Sequence, residues 1–314
     1  MMRTPLISPN PGNAPPAEQV LIEQTDNDNL QGAMLMIACM AVFACNDALI
    51  KYVTQELPLS QAIVMRGAFV LPLMLALGLR QGRLRLRVPR RDVLPLVTRS
   101  LAEVSSSLLY LLALRQMPLG NISAIMQSLP LAVMLGAAVF FRERMGWRRI
   151  GAVLVGFAGV LVVLRPGTGA FDEWAIIALL SVVLIVVRDL VTRKFSGDVG
   201  SSTVAFYAAF AVMMSGFVLG FEEPWRWPTQ RETLLLLLSA SFLTAGYITA
   251  VASMRVGEIS FVAPFRYTSL IAAILLGLLV FGEWPDLWTW VGAAMIVGAG
   301  IYAILRDGKA RRAR

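Results

Sequence analysis

Ten long apolar segments dominate this chain and limit what it can fold into. From Leu30 onward, runs of 18 to 24 mostly apolar residues alternate with short polar stretches. About 20 apolar residues are needed for a helix to cross the hydrocarbon core of a bilayer, and these runs are too long and too evenly apolar for barrel strands. The pattern predicts an all-α membrane protein with ten transmembrane helices, near 30–53, 60–79, 93–114, 119–141, 148–165, 174–194, 201–221, 233–254, 258–281 and 286–305.

The composition agrees with lipid as the solvent and removes several kinds of chemistry. Hydrophobic residues make up 57% of the chain and charged residues 15%, whereas a soluble domain has about 25% charged residues. The chain has no histidine, the commonest general base and zinc ligand. Cys39 and Cys45 lie in one predicted helix, too far apart and on different faces for a disulfide. We therefore expect no metal site and no cofactor.

The basic residues predict the orientation in the membrane. With a cytoplasmic N-terminus, the inside loops and C-terminal tail hold 18 Lys and Arg residues and the outside loops hold five. Cytoplasmic loops are enriched in these residues. We therefore predict a multi-pass protein of a bacterial inner membrane with both termini in the cytoplasm. The basic loops are then a topology signal, and no nucleic-acid partner is expected.

The chain resembles itself at an offset of about 141 residues. Glu143, Gly151, Gly159 and Arg165 recur as Glu283, Gly292, Gly300 and Arg306, and Asp47-x-x-x-Lys51 recurs as Asp189-x-x-x-Arg193. Because five helices per copy is an odd number, the second copy enters the membrane from the opposite side. We predict two inverted-topology five-helix repeats over 30–167 and 174–308, with a disordered tail at 1–29 and a basic tail at 309–314. Small residues allow close helix packing, so the predicted structural glycines are Gly151, Gly159, Gly292 and Gly300.

These repeated positions resemble the paired EamA domains of the drug/metabolite transporter superfamily. Each Glu–Gly–Gly series follows a long helix that begins near Gly120-x-x-Ser or Gly257-x-x-Ser. The first repeat is also similar to the branch that contains bacterial riboflavin and S-adenosylmethionine uptake carriers, through Asn46, Asp47, Lys51, Pro58, Gln61 and Arg66. The resemblance implies a carrier fold whose central cavity is lined by helices three, four, eight and nine.

Six charged residues lie inside predicted spans, where an ionisable group usually faces the bundle interior and has a partner. Depth along the helices matches Asp47 with Arg66, Arg99 with Asp189, and Glu103 with Arg266. We predict that each pair meets across the cavity. The alternative is that Asp47 and Asp189 pair with Lys51 and Arg193 four residues later on their own helices.

Two prolines within spans, Pro130 and Pro264, predict kinks near the middle of the bundle. Polar and aromatic side chains surround them and the helices that the resemblance places at the cavity. Together they form our candidate substrate-binding set: Glu103, Ser106, Tyr110, Gln127, Tyr247, Phe265, Arg266 and Tyr267.

The leading functional prediction is a secondary transporter that moves a small metabolite by alternating access. No P-loop motif is present in the sequence. The resembled branch favours uptake of riboflavin, whose ring could stack on tyrosines. Export of amino acids or drugs is an alternative that the same architecture supports. An intramembrane enzyme is a further alternative, although no clustered catalytic residues support it. The expected partners are a small-molecule substrate and the bilayer, with the chain acting as a monomer or a homodimer.

Overall fold

The described part of the chain forms a bundle of ten helical spans, each long and apolar enough to cross a membrane. The computed structural model describes residues 17–80, 88–142, 146–165, 173–196, 199–221, 223–256 and 258–312. The spans are α1 (Ala17–Val53), α2 (Leu59–Arg80), α3 (Arg90–Gln116), α4 (Leu119–Met126 and Leu129–Phe140), α5 (Trp147–Leu164), α6 (Glu173–Thr192), α7 (Ser201–Leu219), α8 (Gln230–Val256), α9 (Ile259–Val262, Ala263–Tyr267 and Thr268–Phe281) and α10 (Leu287–Arg312). The ten predicted spans are confirmed.

The start of α1 differs from the prediction. We predicted a disordered tail over 1–29, but the helix begins at Ala17, and residues 1–16 lie outside the described part of the chain. No proline follows Pro16 in this region, so nothing interrupts a helix that extends backward from the apolar span. Adding residues to an existing helix also avoids the unfavourable nucleation step.

Two spans are interrupted beside prolines, as the sequence predicts. Pro130 lies in the first turn of the second segment of α4, directly after the break at Gln127 and Ser128. Pro264 lies within a five-residue 3-10 helix that joins the two α-helical segments of α9. Each proline removes one backbone hydrogen bond, which is why the α-helical ladder changes there.

The helix pairs in close contact reveal two related halves. Helix α1 packs on α8, and α6 packs on α3. In the repeat, α6 is the counterpart of α1 and α3 is the counterpart of α8, so each of these pairs is the repeat equivalent of the other. The pairs α2–α7 and α5–α10 map onto themselves under the same correspondence. This is the packing expected of two inverted-topology five-helix repeats, in which the helices of one half pack mainly on the other half.

Glycines allow close approach at one crossing of the two halves. A Cβ on Gly159 would meet the carbonyl oxygen of Gly292, and a Cβ on Gly292 would meet that of Gly159. A Cβ on Gly300 would collide with the Tyr267 hydroxyl. Around Gly151, in contrast, there is open space, so packing does not explain a glycine there.

The two ends of the bundle differ in how tightly they are packed. We call the end where α1, α3, α5, α7 and α9 finish the upper face, and the opposite end the lower face. The largest core cluster gathers near the upper face, where Ile50, Leu57, Leu114, Leu119 and Ile122 are at most 1% exposed. Near the lower face a smaller cluster contains Ala137, Val186 and Leu190. The upper face is therefore the more fully sealed end.

Candidate substrate-binding site

A cavity of about 210 Å³ lies inside the bundle between helices of both halves. Helices α1, α2 and α3 contribute one side and α7 and α8 the other. The polar and charged residues that line it are Asn46, Asp47, Arg66, Arg99, Glu103, Ser107, Tyr110 and Tyr247. Apolar residues such as Met74, Val212 and Met213 complete the wall. Polar groups at defined positions in an apolar cavity are the usual features of a small-molecule site.

Asp47 is the centre of a hydrogen-bond network in the part of the cavity nearest the upper face. Its Oδ2 atom accepts a hydrogen bond from the Tyr110 hydroxyl at 2.7 Å, and its Oδ1 atom accepts one from Asn46 Nδ2 at 3.0 Å. The Asn46 side chain is in turn held by Ser239 of α8, whose hydroxyl donates to Asn46 Oδ1 at 2.8 Å. The network joins the two halves and fixes the Asp47 carboxylate.

Glu103 is held by two guanidinium groups in the part of the cavity nearer the lower face. Arg99 Nη2 lies 3.3 Å from Glu103 Oε2, and Arg188 Nη1 of α6 lies 3.2 Å from Glu103 Oε1. Arg188 also contacts Asp189, at 2.9 Å. Arg99 Nε donates to the Thr192 hydroxyl at 3.0 Å. This charged chain connects α3 of the first half with α6 of the second.

Arg99 retains an unused donor. Its Nη1 atom is buried and has no hydrogen-bond partner in the described part of the structure. A buried, unsatisfied guanidinium N–H is costly, so an acceptor on a bound molecule or a water would be stabilised there. Arg99 itself is one of the residues that line the cavity.

Two of the three predicted charge pairs are wrong. Arg99 pairs with Glu103 rather than with Asp189, because Glu103 lies four residues later on the same helix and the two side chains meet on one face. Glu103 does not pair with Arg266, since Arg99 and Arg188 contact its carboxylate oxygens.

The third predicted pair is together but not in contact. Asp47 and Arg66 both line the cavity and interact electrostatically, without a direct ion pair between them. The alternative of local pairing fails for Asp47 as well, because Lys51 pairs with Glu283.

The cavity gathers three of the eight predicted substrate-binding residues, Glu103, Tyr110 and Tyr247. Ser106 is buried, and its hydroxyl donates to the Glu103 carbonyl at 3.1 Å. Gln127 donates to the Ser269 hydroxyl between α4 and α9. Besides α1, α3 and α8, the wall therefore includes α2 and α7, and it does not include α4 and α9 as the resemblance implied.

The other three predicted residues lie on the α9 break, away from the cavity wall. Phe265 packs in the apolar cluster around Cys39 and Met40. Tyr267 is 5% exposed and lies against Gly300. Arg266 is exposed at the same break. The kink thus positions packing residues rather than the wall of this cavity.

Arg188 is the residue that the sequence reasoning missed. It connects Glu103 and Asp189, yet only Asp189 was selected from this pair of neighbours. A signal was present, because an arginine inside an apolar run is as costly in a membrane as an aspartate. Considering the neighbours Arg188 and Asp189 together as intramembrane charges would have identified Arg188.

An ion pair closes the upper face above the cavity. Lys51 Nζ lies 2.7 Å from Glu283 Oε1 and donates to the Met117 carbonyl at 2.5 Å, over the ring of Phe281. The second oxygen of Glu283 accepts the Leu119 N–H at 2.7 Å. The Lys51 side chain is 3% exposed. We call Lys51, Phe281 and Glu283 the upper latch.

The lower face has the repeat counterpart of the Lys51–Phe281 contact. Arg193, the counterpart of Lys51, lies over the ring of Phe141 at 5.8 Å. Unlike Lys51, Arg193 is exposed. Glu143, the counterpart of Glu283 in the repeat, lies outside the described residues. We call Arg193 and Phe141 the lower pair.

Comparison with known proteins connects this architecture to carriers. The chain is 29% identical over 276 residues to the riboflavin transporter of Vibrio cholerae, covering 85% of this chain and 91% of that one. It is 23% identical over 280 residues to the S-adenosylmethionine uptake transporter of Rickettsia prowazekii, covering 89% and 94%. A solved crystal structure of 19% identity matches the fold with a TM-score of 0.63, over 90% of this chain and 98% of that one.

The family assignment rests on both halves of the chain. Residues 30–165 and 172–306 each match the EamA-like transporter family. Together these matches cover most of the sequence and coincide with the two packed five-helix halves. The chain therefore belongs to the EamA-like transporters of the drug/metabolite transporter superfamily.

Proposed function

We propose that this protein is a secondary transporter that takes up riboflavin by alternating access around the cavity between its two halves. The observation that carries the proposal is the balanced charge of the cavity wall. Asp47 and Glu103 are matched by Arg66 and Arg99, so the wall has no net charge. Such a wall suits a polar, uncharged molecule better than a cation. This favours riboflavin over S-adenosylmethionine, the substrates that name the two relatives compared above.

The wall also offers groups suited to a flat aromatic ring with polar edges. Tyr110 and Tyr247 could stack on such a ring, and Ser107 and Arg99 could bond its edges. Tyr247 is held edge-on by Phe43 at 5.7 Å between ring centroids, which limits its ring to a defined orientation. Individual aromatic residues are common packing elements, but both of these tyrosines face one cavity.

The cavity must widen to hold a flavin. Its volume of about 210 Å³ is below the roughly 300–1,000 Å³ of typical small-molecule pockets. Met74 and Met213 line it, and methionine side chains adapt easily to a ligand. Uptake by rocking of one half against the other would supply the remaining space.

Orientation follows from the same proposal. The excess of basic residues in the loops of the lower face supports a cytoplasmic position for that face and for both termini. The sealed upper latch then represents a conformation closed to the outside. Riboflavin would bind after the upper latch opens and leave toward the lower face.

The test is uptake of radiolabelled riboflavin by a riboflavin-auxotrophic bacterium at limiting vitamin, with the gene or an empty vector. We expect saturable uptake that unlabelled riboflavin inhibits and S-adenosylmethionine does not. The variant Tyr247→Ala should lose uptake, whereas Tyr302→Ala, an exposed tyrosine on α10 outside the cavity, should retain it.

No uptake above the empty vector would overturn the riboflavin assignment. S-adenosylmethionine uptake, or efflux of amino acids or drugs, would then be measured in the same strain. Proteoliposomes with an imposed pH gradient separate proton coupling from facilitated diffusion. Asp47→Asn and Glu103→Gln identify which carboxylate any coupling requires.

A further inference from the structure

We propose that a groove on the upper half of the bundle binds one acyl chain of an anionic phospholipid, with its phosphate on Arg231. The groove has a volume of about 280 Å³ and is separate from the substrate cavity. One stripe of side chains on each of three helices forms it: Cys45, Ala48, Leu49 and Tyr52 of α1, Arg231, Leu235 and Phe242 of α8, and Leu276 and Val280 of α9. We call it the upper groove.

The stripes follow from helical geometry. On α1 the four residues occupy positions i, i+3, i+4 and i+7, which places them on one face. The α1 stripe includes two small side chains, Cys45 and Ala48, which leave room between the larger residues of α8 and α9. Apart from Tyr52 and Arg231, the named lining residues are apolar. A long hydrocarbon chain satisfies such a surface, whereas a polar solute does not.

The length of the upper groove matches one leaflet. From Arg231 to Phe242 the stripe covers eleven helical steps, or about 16 Å. Half of a hydrocarbon core of about 30 Å is about 15 Å. The groove therefore runs from the membrane surface to the bilayer midplane, as one acyl chain does.

The charge at the upper end selects the headgroup. Arg231 Nη2 donates to the Tyr52 hydroxyl at 2.7 Å, and its guanidinium lies over the Tyr52 ring at 5.2 Å. The nearby carboxylate of Glu232 is held by Arg226 instead. Among the described residues no carboxylate forms an ion pair with Arg231, so its charge is available to a phosphate. A lipid with net negative charge, such as phosphatidylglycerol, is favoured over a zwitterionic one.

Arg231 and the groove can be tested separately from transport, because the readout is lipid binding. The protein is reconstituted in nanodiscs of phosphatidylcholine with a minor fraction of phosphatidylglycerol and examined by native mass spectrometry. We expect wild type to retain phosphatidylglycerol with about fivefold preference over the neutral lipid, the effect of one arginine near the membrane surface. Arg231→Gln should lose the preference.

The matched control is Arg115→Gln. Arg115 lies in the last turn of α3 at the same face and outside the groove, and this variant should keep the preference. Equal retention of phosphatidylglycerol by wild type and Arg231→Gln would overturn the proposal.

A second measurement tests whether the acyl chain of the lipid lies within the groove. A fluorophore is attached to a cysteine introduced at Leu238, an exposed residue of α8 beside the groove lining, in a Cys39→Ser, Cys45→Ser background. Phosphatidylglycerol with brominated acyl chains should quench it more than its mole fraction predicts, and more than brominated phosphatidylcholine does. Val280→Trp, which fills the groove without altering Arg231, should remove the excess.

Two outcomes of the quenching experiment contradict the proposal. Quenching equal to the bulk mole fraction would show that the groove holds only exchanging annular lipid. A loss of quenching at high protein-to-lipid ratio would show that a second copy of the chain covers the groove.

Discussion

The upper latch and the lower pair occupy equivalent places in the two halves but differ in burial. Lys51 lies over Phe281 and is 3% exposed, with a carboxylate and a carbonyl as partners. Arg193 lies over Phe141 and is exposed. This difference shows that the two repeats, although related in sequence, do not adopt a symmetric conformation. Two related halves hold one face shut more firmly than the other, which is what alternating access requires of any single state.

The largest effect is expected from removing the carboxylate of the upper latch. Glu283→Ala leaves the Lys51 ammonium buried with a carbonyl and the Phe281 ring but no counter-ion, and an unpaired buried charge costs about 3–5 kcal/mol. We expect a much lower melting temperature in detergent and faster labelling of a cysteine introduced at Leu119. Replacing both residues, as Lys51→Met with Glu283→Gln, should recover most of the stability. An unchanged melting temperature in Glu283→Ala would show that the upper latch does not stabilise the upper face.

The next effect concerns the charged network of Arg99, Glu103 and Arg188, which joins the halves at the lower part of the cavity. Glu103→Gln leaves Arg99 and Arg188 close together without the carboxylate between them, and a hydrogen bond to a charged group contributes about 1.5–3 kcal/mol. We expect lower thermal stability and at least tenfold slower transport. Adding Arg188→Gln should restore stability but not transport. Recovery of both would show that Glu103 acts only as a counter-ion.

A smaller effect is expected at the crossing of α5 and α10. Gly159→Ala would force the backbones of the two helices apart, and overpacking of this kind costs about 1–3 kcal/mol. Gly151→Ala on the same helix is the matched control, because open space surrounds it, and it should be neutral or slightly stabilising. Thermal unfolding of the two variants side by side tests whether packing is tighter toward the upper face. Equal effects would contradict that difference.

The smallest effect is expected at the lower pair. Phe141→Leu removes the ring beneath Arg193, and an exposed cation–π contact contributes about 0.5–1 kcal/mol. The equivalent change at the upper latch, Phe281→Leu, removes the ring beneath a buried ammonium and should cost more, about 2 kcal/mol. Thermal unfolding measures both. If the two variants lose equal stability, the two contacts are equally strong and the asymmetry lies elsewhere.

The spans and their breaks were predictable because each depends on local sequence. Apolar length defines the helices, and Pro130 and Pro264 mark the interruptions in α4 and α9. The partners of the charges were not predictable from depth. Depth gives the position of a residue along the membrane normal but not its position within the membrane plane. Glu103 and Arg266 have similar predicted depths but do not face each other.

The upper latch shows the same limit. Lys51 and Glu283 were both recognised as repeated positions, but the direction of each side chain around its helix, which decides their contact, depends on how α1 and α9 pack. The contribution of α2 and α7 to the cavity wall also has no local signal, since Gly67 and Met213 meet only after both halves assemble.

The pairing of helices across the two halves has a consequence for synthesis. Helix α1 finds its main neighbour, α8, only after the chain from Val53 to Gln230 has been made. At 5–20 residues per second this takes roughly ten to thirty seconds. Through that interval Asn46, Asp47 and Lys51 reside in the bilayer without Ser239 or Glu283. The nascent first half must therefore be sheltered by lipid or by the insertion machinery until its complement emerges from the ribosome.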